Sequence, residues 1–341
     1  MKKPMLAMLL VLALAFTAGA GSDAGTVLLN AAGATFPNPI YSKWFDVYHT
    51  AHPNVQINYQ AIGSGGGIRQ LLAGTVDFGA SDGPMTDDQL AQAKVKILHF
   101  PTVLGAVVPM YNVPGVSGEL NLTQHALAGI YLGTITKWNN IEITQANPGV
   151  KFPNDDIVVV HRSDGSGTSY IFTDFLSKAS DDWKNKVGKA TSVNWPVGLG
   201  GKGNEGVSGL VKQTPDSIGY VELIYAIQNN IPFGKVQNAS GQYVKASLES
   251  VSSAAAGAAK AMPDDFRVSI TNAPGAASYP ISSFTWLLIP AQIQDAAKLD
   301  AIKGFLKWML TQGQDYNEGL TYARLPKPVI AKEMKAISLI Q

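Results

Sequence analysis

Three short stretches contain hydroxyl-bearing residues, two of them together with glycine, and each follows an apolar, strand-like run. They are Ala34-Thr35-Phe36, Gly63-Ser64-Gly65-Gly66-Gly67 and Ser166-Gly167-Thr168. Each comes shortly before a segment with helical spacing, so each predicts a turn that leads from a strand into a helix. The first N–H groups of a helix lack an intrahelical partner, and the helix dipole adds partial positive charge there. The three turns together predict a binding site for a small oxyanion, although each alone is also compatible with ordinary helix capping.

Arg162 lies four residues before Ser166, directly after the predicted strand at 157–161. Its guanidinium group can donate two parallel hydrogen bonds to two oxygens of one phosphate group. Asp164 is close enough in sequence to hold that guanidinium group in place. A surface ion pair is the alternative interpretation of these two residues. The position of Arg162 before a Gly-Ser-Gly turn favours a role in the site.

A carboxylate, Asp82, belongs to the same set of candidates and lies in the segment 77–83. An ionised carboxylate repels an anion, which makes Asp82 unexpected in a general oxyanion site. Near neutral pH, phosphate retains at least one proton because its second pKa is about 6 to 7. It can therefore donate a hydrogen bond to Asp82, whereas fully ionised sulfate cannot. Asp82 predicts a site that selects phosphate against sulfate, and its alternative role is that of a helix cap near Met85.

The elements that position these residues follow an α/β pattern, because apolar runs bounded by Gly, Pro or Asn alternate with segments of helical spacing. The sequence predicts strands at 26–30, 55–60, 157–161, 218–221 and 284–289, and helices at 39–48, 67–73, 168–176 and 297–309. Thr86-Asp87-Asp88-Gln89 has the spacing of a capping box at the start of a further helix. The alanine-rich stretch at 254–261 predicts a short, solvent-exposed helix without a chemical role.

The length of the chain predicts two domains, because one hydrophobic core rarely serves more than about 250 to 300 residues. Candidate crossings between the domains lie near 107–111 and near 279–280, where proline and glycine flank strand-like segments. Two crossings predict one lobe built from both chain ends, residues 26–110 plus 281–341, and a second lobe from residues 111–280. A connection of this kind is a natural hinge for closing a cleft.

Residues 1–20 have the three parts of a secretory signal peptide: two lysines, an apolar run at 5–16 and small residues at 18–20. The apolar run is shorter than the ~20 residues that a membrane-spanning helix needs. The absence of cysteine excludes thiolate metal sites, disulfides and a lipid anchor on cysteine. The formal net charge of +1 is unlike the basic balance of proteins that bind nucleic acid. We therefore expect an exported protein that works outside the cytoplasm, without a nucleic-acid partner.

These motifs in combination resemble those of the periplasmic phosphate-binding proteins, which are the solute receptors of phosphate-specific ABC importers. The resemblance rests on the segments 33–37, 62–67, 77–82, 162–168 and 195–203, and covers nearly the whole chain after residue 20. It implies two α/β lobes joined by a two-stranded hinge, with phosphate held between the lobes by hydrogen bonds. It also implies binding and delivery of phosphate without catalysis, cofactor or metal.

The resemblance also implies individual roles. The implied phosphate contacts are Thr35, Phe36 through its backbone N–H, Ser64, Asp82, Arg162, Ser166, Gly167 and Thr168, with Asp164 as the partner of Arg162. The implied protein partners are the membrane permease subunits of the importer, and the receptor itself is expected to be a monomer. His161 stands where relatives often carry a second arginine, which changes the charge near the site.

Two other functions remain open at this point. A secreted hydrolase would use Ser166 as nucleophile and His161 as base, although Ser166 does not lie in a G-x-S-x-G motif. A receptor for another oxyanion, such as sulfate or molybdate, would use the same turns, and Asp82 argues against it. The segment 198–203 matches G-x-G-x-x-G, but no clean apolar strand precedes it, so we do not expect a dinucleotide site.

Overall fold

The computed structural model describes residues 25–116 and 118–341, so the predicted signal peptide at 1–20 lies outside the described residues. The strands are β1 (Val27–Gly33), β2 (Val55–Ala61), β3 (Phe78–Ser81), β4 (Ile97–Asn112), β5 (Asn121–Leu122), β6 (Val158–Arg162), β7 (Leu199–Gly201), β8 (Ser217–Glu222), β9 (Lys235–Gln237), β10 (Tyr243–Val244) and β11 (Ser282–Pro290).

The α-helices alternate with these strands along the chain. They are α1 (Asn38–Ala51), α2 (Ser64–Ala73), α3 (Asp87–Ala91), α4 (Gln124–Leu132), α5 (Ile141–Thr144), α6 (Gly167–Ala179), α7 (Asp181–Lys186), α8 (Gly203–Gln213), α9 (Leu223–Gln228), α10 (Leu248–Lys260), α11 (Ala296–Met309) and α12 (Lys327–Ala336). Short 3₁₀ helices lie at Gln312–Tyr316, Glu318–Leu320 and Ile337–Leu339. Within 25–116 and 118–341, no helix is both long and apolar enough to cross a membrane.

An eight-stranded mixed sheet forms the centre of the fold, in the order β2-β1-β3-β11-β4-β8-β6-β7. At one end of the sheet β1 pairs in parallel with β2 and β3, and at the other end β6 pairs in parallel with β7 and β8. Parallel strands need crossover connections, and helices supply them here. The α/β architecture predicted from the alternation of elements is therefore present.

The long strand β4 joins the two ends of the sheet and is buried along nearly its whole length. It pairs with β11 from Ile97 to Ala106 and with β8 from Val107 to Asn112. The predicted crossings lie at this exchange of partners, where the Tyr279 hydroxyl donates a hydrogen bond to the Val107 carbonyl at 2.8 Å. One continuous strand therefore links two groups of parallel strands, each with its own helices.

Helix α1 contains the helix predicted at 39–48 and has one apolar face. Its apolar residues Ile40, Tyr41, Trp44, Phe45 and Tyr48 recur at one-face spacing and are all buried. Phe45 and Tyr48 pack against Phe305 of α11, with ring centroids 5.3 and 5.2 Å apart. These aromatic residues thus form core that fixes α1, and with it the turn that precedes α1.

The capping box is present at the start of α3. Thr86 Oγ1 accepts a hydrogen bond from the Gln89 N–H at 3.2 Å, and Gln89 Oε1 accepts one from the Thr86 N–H at 3.0 Å. The segment 254–261 is largely helical, as predicted, but the expectation of a short, exposed helix is wrong, because α10 begins at Leu248 and buries Ala254 and Ala255 against the sheet. Alanine methyl groups are small enough to let this helix approach β4 and β11 closely.

Candidate functional site

The three predicted turns occupy strand-to-helix connections and meet in space. β1 ends at Gly33 before α1, β2 ends before α2, and β6 ends before α6. The backbone N–H of Gly65, in the first turn of α2, donates to the carbonyl of Gly165 at 2.8 Å. This hydrogen bond joins a turn that precedes β4 in the chain to a turn that follows β4.

Two glycines are required where these turns touch. Gly63 has φ +85°, and a Cβ atom there would collide with the Asp164 carboxylate and the Gly165 carbonyl. A Cβ on Gly167 would overlap Ser64 Oγ and the carboxylate of Asp82. The beginning of α6 therefore lies directly against Ser64 and Asp82.

Arg162 is a buried cation with a fixed orientation, and its side chain is 1% exposed. Its Nε and Nη2 atoms donate to the two oxygens of Asp164 at 2.8 and 2.6 Å, and Nη1 donates to Thr168 Oγ1 at 3.1 Å. Burial would raise the pKa of Asp164, but the hydrogen bonds and positive charge of Arg162 outweigh burial and lower that pKa. The pair stays ionised, and Asp164 holds Arg162 as the sequence predicted.

Asp82 is also buried, with 1% of its surface exposed. Its Oδ1 accepts a hydrogen bond from Thr285 Oγ1 at 2.8 Å, and its backbone N–H donates to Ser64 Oγ at 3.2 Å. Burial raises the pKa of Asp82 to about 7, against the opposing effects of Thr285, Arg162 and Ser64. Around neutral pH this group is therefore present both as the carboxylic acid, which can donate a hydrogen bond, and as the carboxylate, which can accept one.

Ser166 is the N-cap of α6, since its Oγ accepts a hydrogen bond from the Ser169 N–H at 3.0 Å. The capping role and an anion-binding role are compatible, because the hydroxyl hydrogen of Ser166 remains a donor. The N–H groups of Gly167 and Thr168 belong to the first turn of α6, where helix geometry supplies no intrahelical acceptor. These groups are the donors on which the prediction of an anion site at the third turn depends.

The first turn is held by two tyrosines that the sequence did not reveal. The hydroxyl of Tyr225 donates to the Thr35 carbonyl and that of Tyr322 to the Phe36 carbonyl, both at 2.6 Å. Within one planar trans peptide the carbonyl and the following N–H point in opposite directions. Because Tyr225 holds the Thr35 carbonyl, the Phe36 N–H faces away from Tyr225.

Asn204 is a further residue that sequence reasoning missed. Its Nδ2 atom lies 2.8 Å from Thr35 Oγ1 and 3.2 Å from Thr168 Oγ1, so it joins the first turn to the third. The signal for it was present in the G-x-G-x-x-G segment, because Gly203 and Asn204 begin α8 directly after β7. That segment is a fourth connection from a strand to a helix, and it is rich in glycine.

His161 lies on the other face of β6 from Arg162, because successive side chains of a strand alternate between its two faces. Its ring stacks on Trp195, with centroids 4.9 Å apart and planes 11° apart. Its Nδ1 atom is 3.0 Å from the Arg162 carbonyl oxygen. The structure therefore does not place His161 as a base for Ser166, and the described part of the chain holds no cluster of three or more His, Asp or Glu suited to a metal.

Known proteins share both the sequence and this arrangement of elements. A family model described as a PBP superfamily domain matches residues 18–312. The phosphate-binding protein PstS of Xylella fastidiosa (strain Temecula1) is 47% identical over 312 residues, which cover 91% of this chain and 85% of that protein. PstS of Haemophilus influenzae is 44% identical over 304 residues, which cover 89% of this chain and 90% of that protein. The chain belongs to the PstS family of phosphate-binding proteins.

The fold is that of solved phosphate-binding proteins. A crystal structure of the phosphate-binding protein from Stenotrophomonas maltophilia has a TM-score of 0.70 at 18% identity, covering 91% of this chain and 94% of that chain. This PstS-family chain therefore has the two-lobed α/β fold of the PBP superfamily.

Proposed function

We propose that this protein binds inorganic phosphate outside the cytoplasm and delivers it to an ABC importer. The observation that carries the proposal is the buried carboxyl group of Asp82, which lies against the N-terminus of α6 among hydrogen-bond donors. A donor cluster alone suits any oxyanion, whereas a carboxylate inside it requires a ligand that can supply a proton. Phosphate near neutral pH is such a ligand. The relatives named PstS support the same function.

The proposed contacts are those expected from the sequence. They are Thr35, the Phe36 N–H, Ser64, Asp82, Arg162, Ser166, Gly167 and Thr168, with Asp164 holding Arg162. Thr35 and Ser64 are nearly or fully buried, as are Ser166 and Thr168. Hydrogen bonds made in such a dry site are stronger than those made in water, which suits capture of a scarce, hydrated anion.

We further propose that residues 26–110 plus 281–341 form one lobe and residues 111–280 the other. In this division the Gly65–Gly165 hydrogen bond and the contact of Thr35 with Asn204 join the lobes, and both would form on closure. Phosphate would first meet one lobe, and hinge motion about β4 and β11 would then complete the hydrogen bonds. The permease subunits of the importer would recognise the closed monomer.

The same proposal makes residues 1–20 a signal peptide that directs the protein to the periplasm, and assigns the protein no catalytic role. The rival hydrolase needs a base beside Ser166, and the side chain of His161 instead packs on Trp195. The Ser166 hydroxyl oxygen accepts from the Ser169 N–H, which fixes it as a helix cap. Relatives that are binding proteins support this conclusion.

Titration calorimetry with orthophosphate and sulfate, beside an assay with a chromogenic phosphate ester, tests the proposal. We expect saturable one-to-one binding of phosphate, weak binding of sulfate and no turnover of the ester. Equal affinity for the two anions would contradict the role of Asp82. Turnover that disappears in Ser166→Ala would contradict the purely binding function.

A further inference from the structure

Asn204 is fully buried at the start of α8, and all polar groups of its amide side chain are engaged. Its Oδ1 accepts a hydrogen bond from the backbone N–H of Glu222 at 2.9 Å. A backbone N–H can only donate, so the oxygen of the amide must face Glu222. Both hydrogens of Nδ2 therefore face the hydroxyl oxygens of Thr35 and Thr168.

Each of these two hydroxyl oxygens accepts two hydrogen bonds from the protein. Thr35 Oγ1 accepts from Asn204 Nδ2 at 2.8 Å and from the Asn204 backbone N–H at 3.3 Å. Thr168 Oγ1 accepts from Asn204 Nδ2 at 3.2 Å and from Arg162 Nη1 at 3.1 Å. A hydroxyl oxygen has two lone pairs, and here both are occupied. Each hydroxyl hydrogen is thereby left to donate to another group.

We propose that Asn204 is a positioning residue that fixes the hydroxyl groups of Thr35 and Thr168 as hydrogen-bond donors toward the bound anion. This inference rests on the proposed phosphate-binding function and adds to it the direction of two hydrogen bonds. A threonine hydroxyl that is free to rotate can accept as readily as donate. With Asn204 in place, these two hydroxyls select unprotonated oxygens of the ligand, and Asp82 supplies the acceptor for its proton.

The position of Asn204 also connects this selection to closure of the cleft. Thr35 precedes the exchange of partners in β4, and Thr168 follows it. Glu222, which holds the amide oxygen, pairs with Val107 at the exchange itself. The Asn204 side chain is therefore correctly oriented for both threonines only when the two parts of the chain are together.

A double-mutant cycle measured by calorimetry with inorganic phosphate tests the inference. Asn204→Ala should weaken phosphate binding roughly 10- to 100-fold, because two donors lose their fixed direction. In the Thr35→Val and Thr168→Val backgrounds the same change should cost about three- to tenfold less, because one of the hydroxyls that Asn204 directs is already absent. A purely structural role would give the same loss in every background, and that result would overturn the inference.

Asn147 offers a matched control, because it is also a buried asparagine whose amide bonds to backbone groups, those of Asn121 and Ile143. Asn147→Ala should lower the melting temperature without changing phosphate affinity. If Asn204→Ala does not fold by circular dichroism, Asn204→Asp replaces it in the cycle, because an aspartate oxygen still accepts from the Glu222 N–H. The threonine hydroxyls would then donate to the new carboxylate, and the same coupling with Thr168→Val is expected.

The outcomes separate this inference from the proposed function. Phosphate binding by the unchanged protein together with unaltered affinity in Asn204→Ala would overturn the role of Asn204 alone. Failure of the unchanged protein to bind phosphate would overturn both. Reduced affinity in Asn204→Ala, with the expected coupling to both threonines, would support both.

Discussion

Among single residues, Arg162 brings positive charge to the site, but Asp164 already neutralises it through two hydrogen bonds. An ionised Asp82 then leaves these three side chains with a net negative charge before any anion arrives. Binding must therefore depend on directed N–H and O–H donors rather than on an excess of cationic side chains. In such a site, the presence or absence of one proton between ligand and carboxylate has a large effect on affinity.

The discrimination between phosphate and sulfate should therefore depend on pH. Burial raises the pKa of Asp82 to about 7, so the group is ionised above that pH and protonated below it. Above pH 7 the carboxylate repels sulfate and receives no hydrogen bond from it, whereas below pH 7 the carboxyl group can donate to a sulfate oxygen. We expect sulfate to compete at least about tenfold better at pH 5.5 than at pH 8.5, measured by displacement of labelled phosphate.

Asp82→Asn should remove this pH dependence and narrow the preference for phosphate, since an amide can donate to sulfate at every pH. Asp77→Asn is the matched control, because Asp77 lies in the same segment but pairs with Lys298. It should leave the preference unchanged. A sulfate affinity that is constant with pH in the unchanged protein would show that Asp82 does not determine the selectivity.

At the level of secondary structure, the N-terminus of α6 lies against Ser64 and Asp82, because Gly167 has no side chain that would separate them. The helix does not need glycine for its own stability, since alanine has the higher helix propensity. Glycine at this position therefore serves the close contact between two turns. The same reasoning applies to Gly63, whose positive φ and contact with Asp164 both exclude a side chain.

Gly167→Ala should separate binding from stability. The added methyl group overlaps the Asp82 carboxylate and Ser64, so we expect phosphate affinity to fall about 10- to 100-fold. The melting temperature of the phosphate-free protein should not fall, because in the open form proposed above the turn that carries Gly167 lies apart from Ser64 and Asp82, and alanine favours the helix. Gly257→Ala in α10 is the control, because a Cβ there meets no atom within 4 Å, and it should leave affinity unchanged. Equal phosphate affinity for Gly167→Ala and the unchanged protein would contradict the proposed contact.

For the whole molecule, β4 is the strand that links the two groups of parallel strands, since it pairs with β11 up to Ala106 and with β8 from Val107. Two contacts between the parts of the chain before and after this exchange lie at the candidate site, Gly65 with Gly165 and Asn204 with Thr35. A ligand that bonds to both parts adds to these contacts and favours the closed arrangement by its differential affinity.

Phosphate should therefore contract the protein in solution. Small-angle scattering should show a smaller radius of gyration with saturating phosphate than without it. Gly167→Ala, at the phosphate concentration that saturates the unchanged protein, should show little contraction. A radius of gyration that does not respond to phosphate, in a protein that calorimetry shows to bind it, would argue against hinge closure.

The sequence alone determined the features that depend on near neighbours in the chain. The strand-to-helix turns at Thr35, Ser64 and Ser166 are legible because glycine and hydroxyl residues punctuate apolar runs. The pairing of Arg162 with Asp164 spans two residues, and the donors of a helix N-terminus follow from helix geometry wherever a helix begins. The α/β class followed in the same way from the alternation of elements.

Tertiary structure decided which distant groups complete the site. Thr285 reaches Asp82 across 203 positions, and Tyr322 reaches the Phe36 carbonyl across 286. Asn204 joins Thr35 and Thr168 although its own segment resembles a dinucleotide motif. The packing of α10 on the sheet also buried one face of an alanine-rich helix that was expected to be exposed. Local pattern specifies where donors arise, but the direction of each hydroxyl and the protonation of Asp82 depend on long-range burial and contacts, which no single segment encodes.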